Sequence, residues 1–146
     1  MTDEIAEFSL AQQLANDTVV IGDFPLCRLL LMNDSHYPWF ILVPRIAGVE
    51  EVYQLTEEDQ RQLMWEMAYV SEKLKDIFSA DKMNVAALGN MVRQLHVHVV
   101  VRHEGDAAWP APVWGKVPAT AYTAEAIKDI RAKLAVVFTT WLKFID

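Results

Sequence analysis

Four residues of one short run have the types and spacing to do chemistry. In QLHVHVVVR, Gln94 to Arg102, His96 and His98 stand one residue apart inside an apolar stretch, with Gln94 before them and Arg102 at the end. Val-rich runs of this kind form strands, and on a strand residues i and i+2 share a face. The spacing therefore predicts a row of Gln94, His96 and His98 on one side. Buried imidazoles need hydrogen-bond partners, at about 1–3 kcal/mol for each group left without one. A row fully open to water would not suit its Val and Leu neighbours. A half-buried pocket satisfies both constraints.

Three chemistries fit such a pair. The plainest is structural, with each ring a satisfied core or surface group. The second is metal binding, and Gln-x-His-x-His is similar to the zinc strand of α-type carbonic anhydrases. Zinc needs a third protein ligand and an open position. His36 and His103 are the other histidines, but both fall in turns or strand ends with no supporting spacing. The third is nucleophilic catalysis. A neutral imidazole can attack phosphorus or a carbonyl while its neighbour stabilises charge or assists proton movement. The chain has no P-loop, no Rossmann glycine fingerprint and no serine elbow. No metal or cofactor is expected.

The elements that must position the pair are legible as patterns. A short helix is expected over Ser9–Asn16, then strands over Thr18–Pro25 and Leu26–Asn33 around a Gly/Asp/Pro turn. WFILVPR, Trp39–Arg45, is almost wholly apolar and reads as a central strand covered on both faces. Thr56 is an N-cap followed by Glu57, Glu58 and Asp59, where negative charge is favoured. Leu63, Met67, Val70, Leu74 and Ile77 continue that helix to about Phe78, and Met64, Trp65 and Met67 are assigned to its core side. Strands follow over Lys82–Gly89 and Gln94–Arg102. A Trp/Pro/Ala loop spans Glu104–Pro118, and a last helix runs from about Thr123 to Phe144. This is an α+β pattern, an antiparallel five-stranded sheet with a long helix packed on it and a C-terminal helix. One domain over 1–146 is expected, with a core at about 18–103 and the loop and helix at about 104–146.

Composition narrows the function classes. With 146 residues, net charge −7 and a 53% hydrophobic content, the chain is suited to a packed core and poorly suited to nucleic-acid polymers. Cys27 is the one cysteine, so no disulfide forms within the chain, and it reads as a small buried residue. The acidic start MTDEIAEFSLAQQL lacks a signal-peptide layout, and no apolar run reaches the ~20 residues of a membrane span. A cytoplasmic location with no membrane partner is the expectation.

The chain resembles the histidine triad (HIT) family. Gln94-Leu95-His96-Val97-His98-Val99-Val100 is similar to that family's His-φ-His-φ-His-φ-φ motif, φ being apolar, with Gln in the first slot. MNDSHYPWFILVPR, LTEED and VAALGNMVRQ resemble the family's strand-turn-strand, helix opening and glycine turn, over about Leu26–Arg102. GDAAWPAPVWG resembles a loop of a bacterial branch with the Gln variant. The resemblance implies a HIT-like fold, a homodimer and attack on the α-phosphate of a nucleotide derivative. That derivative is a phosphoramidate, a dinucleoside polyphosphate or a similar compound. It implies His96 as nucleophile through a covalent nucleotidyl-histidine and His98 at the phosphate and leaving group. Gln94 would orient the nucleophile, Asn33 bind the ribose and Asn90 supply the amide of the turn. Arg102 is a candidate phosphate contact, and Leu30, Met32 or Phe24 are candidate walls for a base. Met91 stands where one branch has a phosphate-facing serine. A nucleotide sensor or scaffold without turnover is the alternative.

Overall fold

The structure, a computed structural model, describes residues 7–146. The first six residues of the acidic N-terminal stretch lie outside the described residues. The chain order is α1 (Gln12–Asp17), β1 (Thr18–Asp23), β2 (Cys27–Met32), β3 (Trp39–Pro44), a 3-10 turn (Val52–Gln54), α2 (Glu57–Phe78), β4 (Lys82–Ala86), β5 (Val97–Arg102), α3 (Ala124–Val137) and β6 (Lys143–Phe144). The strands form one antiparallel sheet in the order β4-β5-β3-β2-β1-β6.

Side-chain alternation gives the sheet two unlike faces. Leu29, Leu31, Phe40, Leu42, Val97, Val99 and Val101 pack with α2 and α3 through Leu63, Val70, Leu74, Ile130 and Leu134. Leu30, Trp39, Ile41, Val43 and Val100 face the other way, where Leu14 of α1 and Ala108 and Val113 of the long loop cover them. Every residue of β3 is buried, as its unbroken apolar run requires.

Thr56 caps α2 by accepting from the Asp59 N–H, with three acidic residues in the first turn. Inside this helix, Glu66 is fully buried and its carboxylate accepts from the Leu26 and Cys27 N–H groups and from Gln62. It thereby ties the start of β2 to the helix. Met67 packs on the core, but Met64 and Trp65 face outward, against the expectation of core positions. Trp65 lies over Tyr69 with ring centroids 5.0 Å apart and meets Trp141 at 5.4 Å. An aromatic contact on the helix surface thus supplies what periodicity assigned to the core.

The sheet has six strands, where five were expected. The C-terminal helix ends at Val137 instead of Phe144. Thr139 and Thr140 follow, β-branched residues with weak helix preference, and Trp141 has φ 69°, which no helix accommodates. The chain then returns as β6 beside Gly22 and Asp23. Gly22 permits this, because a Cβ there would sit 2.5 Å from the Lys143 carbonyl oxygen. The first helix begins at Gln12, since Ser9 to Ala11 are held in another pairing described below. Leu26 lies outside β2, and β4 stops at Ala86 before the Gly89 turn.

Candidate functional site

β5 runs between β3 and β4, and His98 is opposite Ile41 on one side and Ala86 on the other. Two ladders therefore fix its backbone. His96 lies just before the strand, where the Leu95 N–H bonds the Val49 carbonyl. The two imidazole centroids are 4.9 Å apart, and both rings are nearly buried, at 6% and 5% exposure.

Their hydrogen bonds fix opposite tautomers. His96 Nδ1 lies 2.7 Å from the Gln94 carbonyl oxygen. A carbonyl only accepts, so Nδ1 carries the hydrogen and Nε2 keeps its lone pair. His98 Nδ1 lies 3.0 Å from the Trp39 indole nitrogen, which only donates. His98 therefore carries its hydrogen on Nε2. Burial, and then the neighbouring His96, push the His98 pKa down to about 4.

A cleft opens over this pair. One lobe, about 360 Å³, is lined by His96, His98, the turn Leu88–Val92, Trp114 and Gln13, Leu14 and Asp17 of α1. A second, about 390 Å³, adjoins it and is lined by Asn33, Asp34, Trp39, Val113 and Val117. Asp17, Met32 and Trp114 line both lobes. Trp114 stands edge-on to His98, centroid distance 5.1 Å, and to Trp39 at 5.9 Å.

His96, His98 and Asn90 thus line the first lobe, and Asn33 the second. The Asn33 Oδ1 accepts from the Tyr122 N–H, which pins the segment after the long loop to the turn after β2. Met32 faces the cleft as a wall, whereas Leu30 is fully buried beneath it and Phe24 lies in the opposite core. Met91 is 95% exposed at the rim of the first lobe.

Gln94 does not stand in the expected row. It precedes β5, and its side chain turns to the N-terminal segment. Oε1 accepts from the Ala11 N–H and Nε2 donates to the Ser9 carbonyl, both at 2.8 Å. The primary amide thus pairs with the backbone on either side of Leu10, much as a neighbouring peptide group would. What orients His96 is the Gln94 main-chain carbonyl.

Arg102 is likewise turned away from the cleft. It is 1% exposed, its Nε and Nη2 donate to Asp106, and its Nη1 donates to Asn84. Tyr37 and Trp109 flank the guanidinium at 5.8 and 5.6 Å. With its donors engaged and its surface covered, it has no access to a phosphate, so this expectation is corrected. Asp106 also accepts from the His103, Ala108 and Trp109 N–H groups. Burial alone would raise its pKa; the Arg102 pair and those N–H donors outweigh burial and hold it at about 2. This pair anchors the loop that carries Trp114.

His36 contacts the Asp34 carboxylate at 2.6 Å, and His103 donates to the Phe78 carbonyl. Among the described residues, no group of three His, Cys, Asp or Glu side chains is placed to hold a metal ion. No described helix is long and apolar enough to cross a membrane. Sequence reasoning missed Trp39 and Asp17 as cleft residues. Trp39 looked like an ordinary strand aromatic, and only its register opposite Val100 brings it to His98. Asp17 carried no motif at all.

The chain matches the HIT domain over residues 13–105. It is similar to a histidine triad protein from Marinobacter aquaeolei VT8, at 49% identity over 93% of this chain and 99% of that one, with a TM-score of 0.90. A histidine triad protein from Bradyrhizobium japonicum is similar at 45% identity over 90% and 98%, TM-score 0.88. One from Sinorhizobium meliloti 1021 is similar at 45% over 89% and 96%, TM-score 0.87. No curated protein matches the chain.

Proposed function

The chain belongs to the histidine triad family, generally nucleotide-binding hydrolases or transferases, and from that premise we propose that it hydrolyses a nucleotide derivative through a covalent nucleotidyl-His96. The observation that carries this reading is the pair of opposite tautomers at the head of the cleft. His96 presents a lone pair on Nε2 and His98 an N–H on Nε2.

In the first step His96 Nε2 attacks the α-phosphorus in line. A P–N bond forms as the bond to the leaving group breaks, and the leaving group departs with a proton from solvent. The His98 Nε2–H bonds a non-bridging oxygen as charge gathers there. In the second step water cleaves the P–N bond. Nucleoside monophosphate is released and the His96 lone pair is restored. Asn33 and Asn90 supply polar contacts along the cleft, and Met32 and Trp114 an apolar wall.

The cleft also bears on substrate. Asp17 and Asp34 are the charged residues lining the two lobes, and no Lys or Arg is among the lining residues described. A site without cations suits a singly charged α-phosphate better than a polyphosphate chain. This favours phosphoramidates or simple nucleotide esters over dinucleoside polyphosphates. A homodimer in the cytoplasm is part of the same reading, supported by the family.

The deciding experiment is a product assay on both substrate classes beside His96→Ala. The wild type is expected to release nucleoside monophosphate from phosphoramidates. The variant should lose on the order of 10³-fold or more. Mass spectrometry of wild type quenched in alkaline denaturant, where the P–N bond survives, should show a nucleotidyl adduct on His96. Tight nucleotide binding with neither product nor adduct would show a binding protein instead.

A further inference from the structure

We propose that Trp39 is a positioning residue of this site, whose indole N–H holds His98 in the Nε2–H tautomer and so makes it a fixed hydrogen-bond donor toward the phosphate. This rests on the hydrolase reading, but its central claim concerns a tautomer, which can be measured without substrate.

The geometry leaves little freedom. Trp39 lies on β3 opposite Val100, on the face that carries His98, and is 7% exposed. Its Nε1 is 3.0 Å from His98 Nδ1. An indole nitrogen has a hydrogen and no available lone pair, so the direction of this bond is certain. The usual partner behind a working histidine is a carboxylate or carbonyl, which accepts an N–H, raises the ring's basicity and leaves the far nitrogen bare. Trp39 does the reverse. It occupies the near lone pair, so the far nitrogen keeps its hydrogen.

The contrast with His96 gives this its use. The Gln94 carbonyl leaves His96 with a bare Nε2. Without Trp39, nothing in the ring itself would stop His98 from adopting the same tautomer. Two bare nitrogens would then face one phosphate, and its developing charge would lack a donor. Trp39 is held in turn by Trp114, edge-on at 5.9 Å, and by Tyr37 at 6.3 Å. His98 makes no net proton transfer in this role. It donates a hydrogen bond that strengthens as charge grows on the oxygen.

The test begins with the unliganded wild type. Its ¹⁵N imidazole spectrum should show His98 as the Nε2–H tautomer, with scalar coupling across the hydrogen bond to the Trp39 indole nitrogen. An Nδ1–H tautomer, or no coupling, would overturn the proposal. Trp39→Phe keeps an aromatic ring and removes the donor. It should shift His98 toward the Nδ1–H form and lower kcat by about 10- to 100-fold, with KM changed less. Trp39→His, which restores a ring N–H, should recover part of both. Unchanged tautomer and kcat in a folded Trp39→Phe would count against the proposal. If that variant fails to fold, the wild-type spectrum still decides. If no nucleotide is hydrolysed at all, the function reading fails while the spectrum tests the tautomer separately.

Discussion

His96 and His98 differ by what stands behind each ring, a carbonyl for one and an indole for the other. The pair was legible in the sequence because two imidazoles on an apolar run are hard to place otherwise. Their division of labour was not legible, since it depends on Trp39, 59 residues away in sequence. The same burial has a consequence for stability. An unfolded histidine takes up a proton near pH 6.5, but folded His98 resists until about 4. Between those values the unfolded chain binds more protons, so stability falls as pH drops from about 6.5 to about 4. The whole gap is worth about 3 kcal/mol by linkage. Urea unfolding at pH 7, 5.5 and 4.5 should show this decline in the wild type and a shallower one in His98→Gln. Equal slopes would mean that His98 is not the group responsible.

Elements bring the remaining groups to the site, and here the sequence misled in an instructive way. Period-2 spacing aligned Gln94 with the histidines, but β5 begins only at Val97. Before it, the chain follows the Val49 carbonyl instead of a strand neighbour. The Gln94 amide is left to seat the segment leading into α1, whose Gln13, Leu14 and Asp17 line the cleft. An amide offers its acceptor and donor side by side, and so matches the Ala11 N–H and Ser9 carbonyl together. Imidazole nitrogens point in divergent directions and cannot do the same. Gln94→His should therefore loosen this segment without raising the rate. Hydrogen exchange of residues 9–17 should quicken by about 5- to 30-fold, the equivalent of roughly 1–2 kcal/mol for the lost pairing. Unchanged exchange together with a faster reaction would show instead that the amide limits catalysis. Arg102 gives a parallel lesson. A cation ending the histidine strand suggested a phosphate partner, but its acidic partner Asp106 lies four residues on, in a loop whose path no local pattern announces.

At the scale of the molecule, the fold class and most elements could be read from periodicity, caps and turns. The strand order could not. It arises from where α2 lies and from the brief return of the chain as β6. That return leaves the two margins of the sheet unequal. On one side the last strand is two residues long; on the other, β4 is five residues long, and among the described strands it has a neighbour, β5, along one edge only. A strand edge is a template for further pairing, and a sheet with two such edges could add copies without limit. Here the two margins are unequal templates, since β6 has two residues and β4 has five. Two copies joined antiparallel through β4 around a two-fold axis would use up each other's longer edge and leave only the short β6 margins. Val85, 41% exposed on that strand, is the place to test it. Light scattering should find wild-type dimers and Val85→Lys monomers, since the axis brings the two new charges near each other; a dimer that survived the change would have to use another surface. Such a pairing would leave only the short β6 margins outward, and the small C-terminal turn that Gly22 admits at β1 is what makes those margins poor templates.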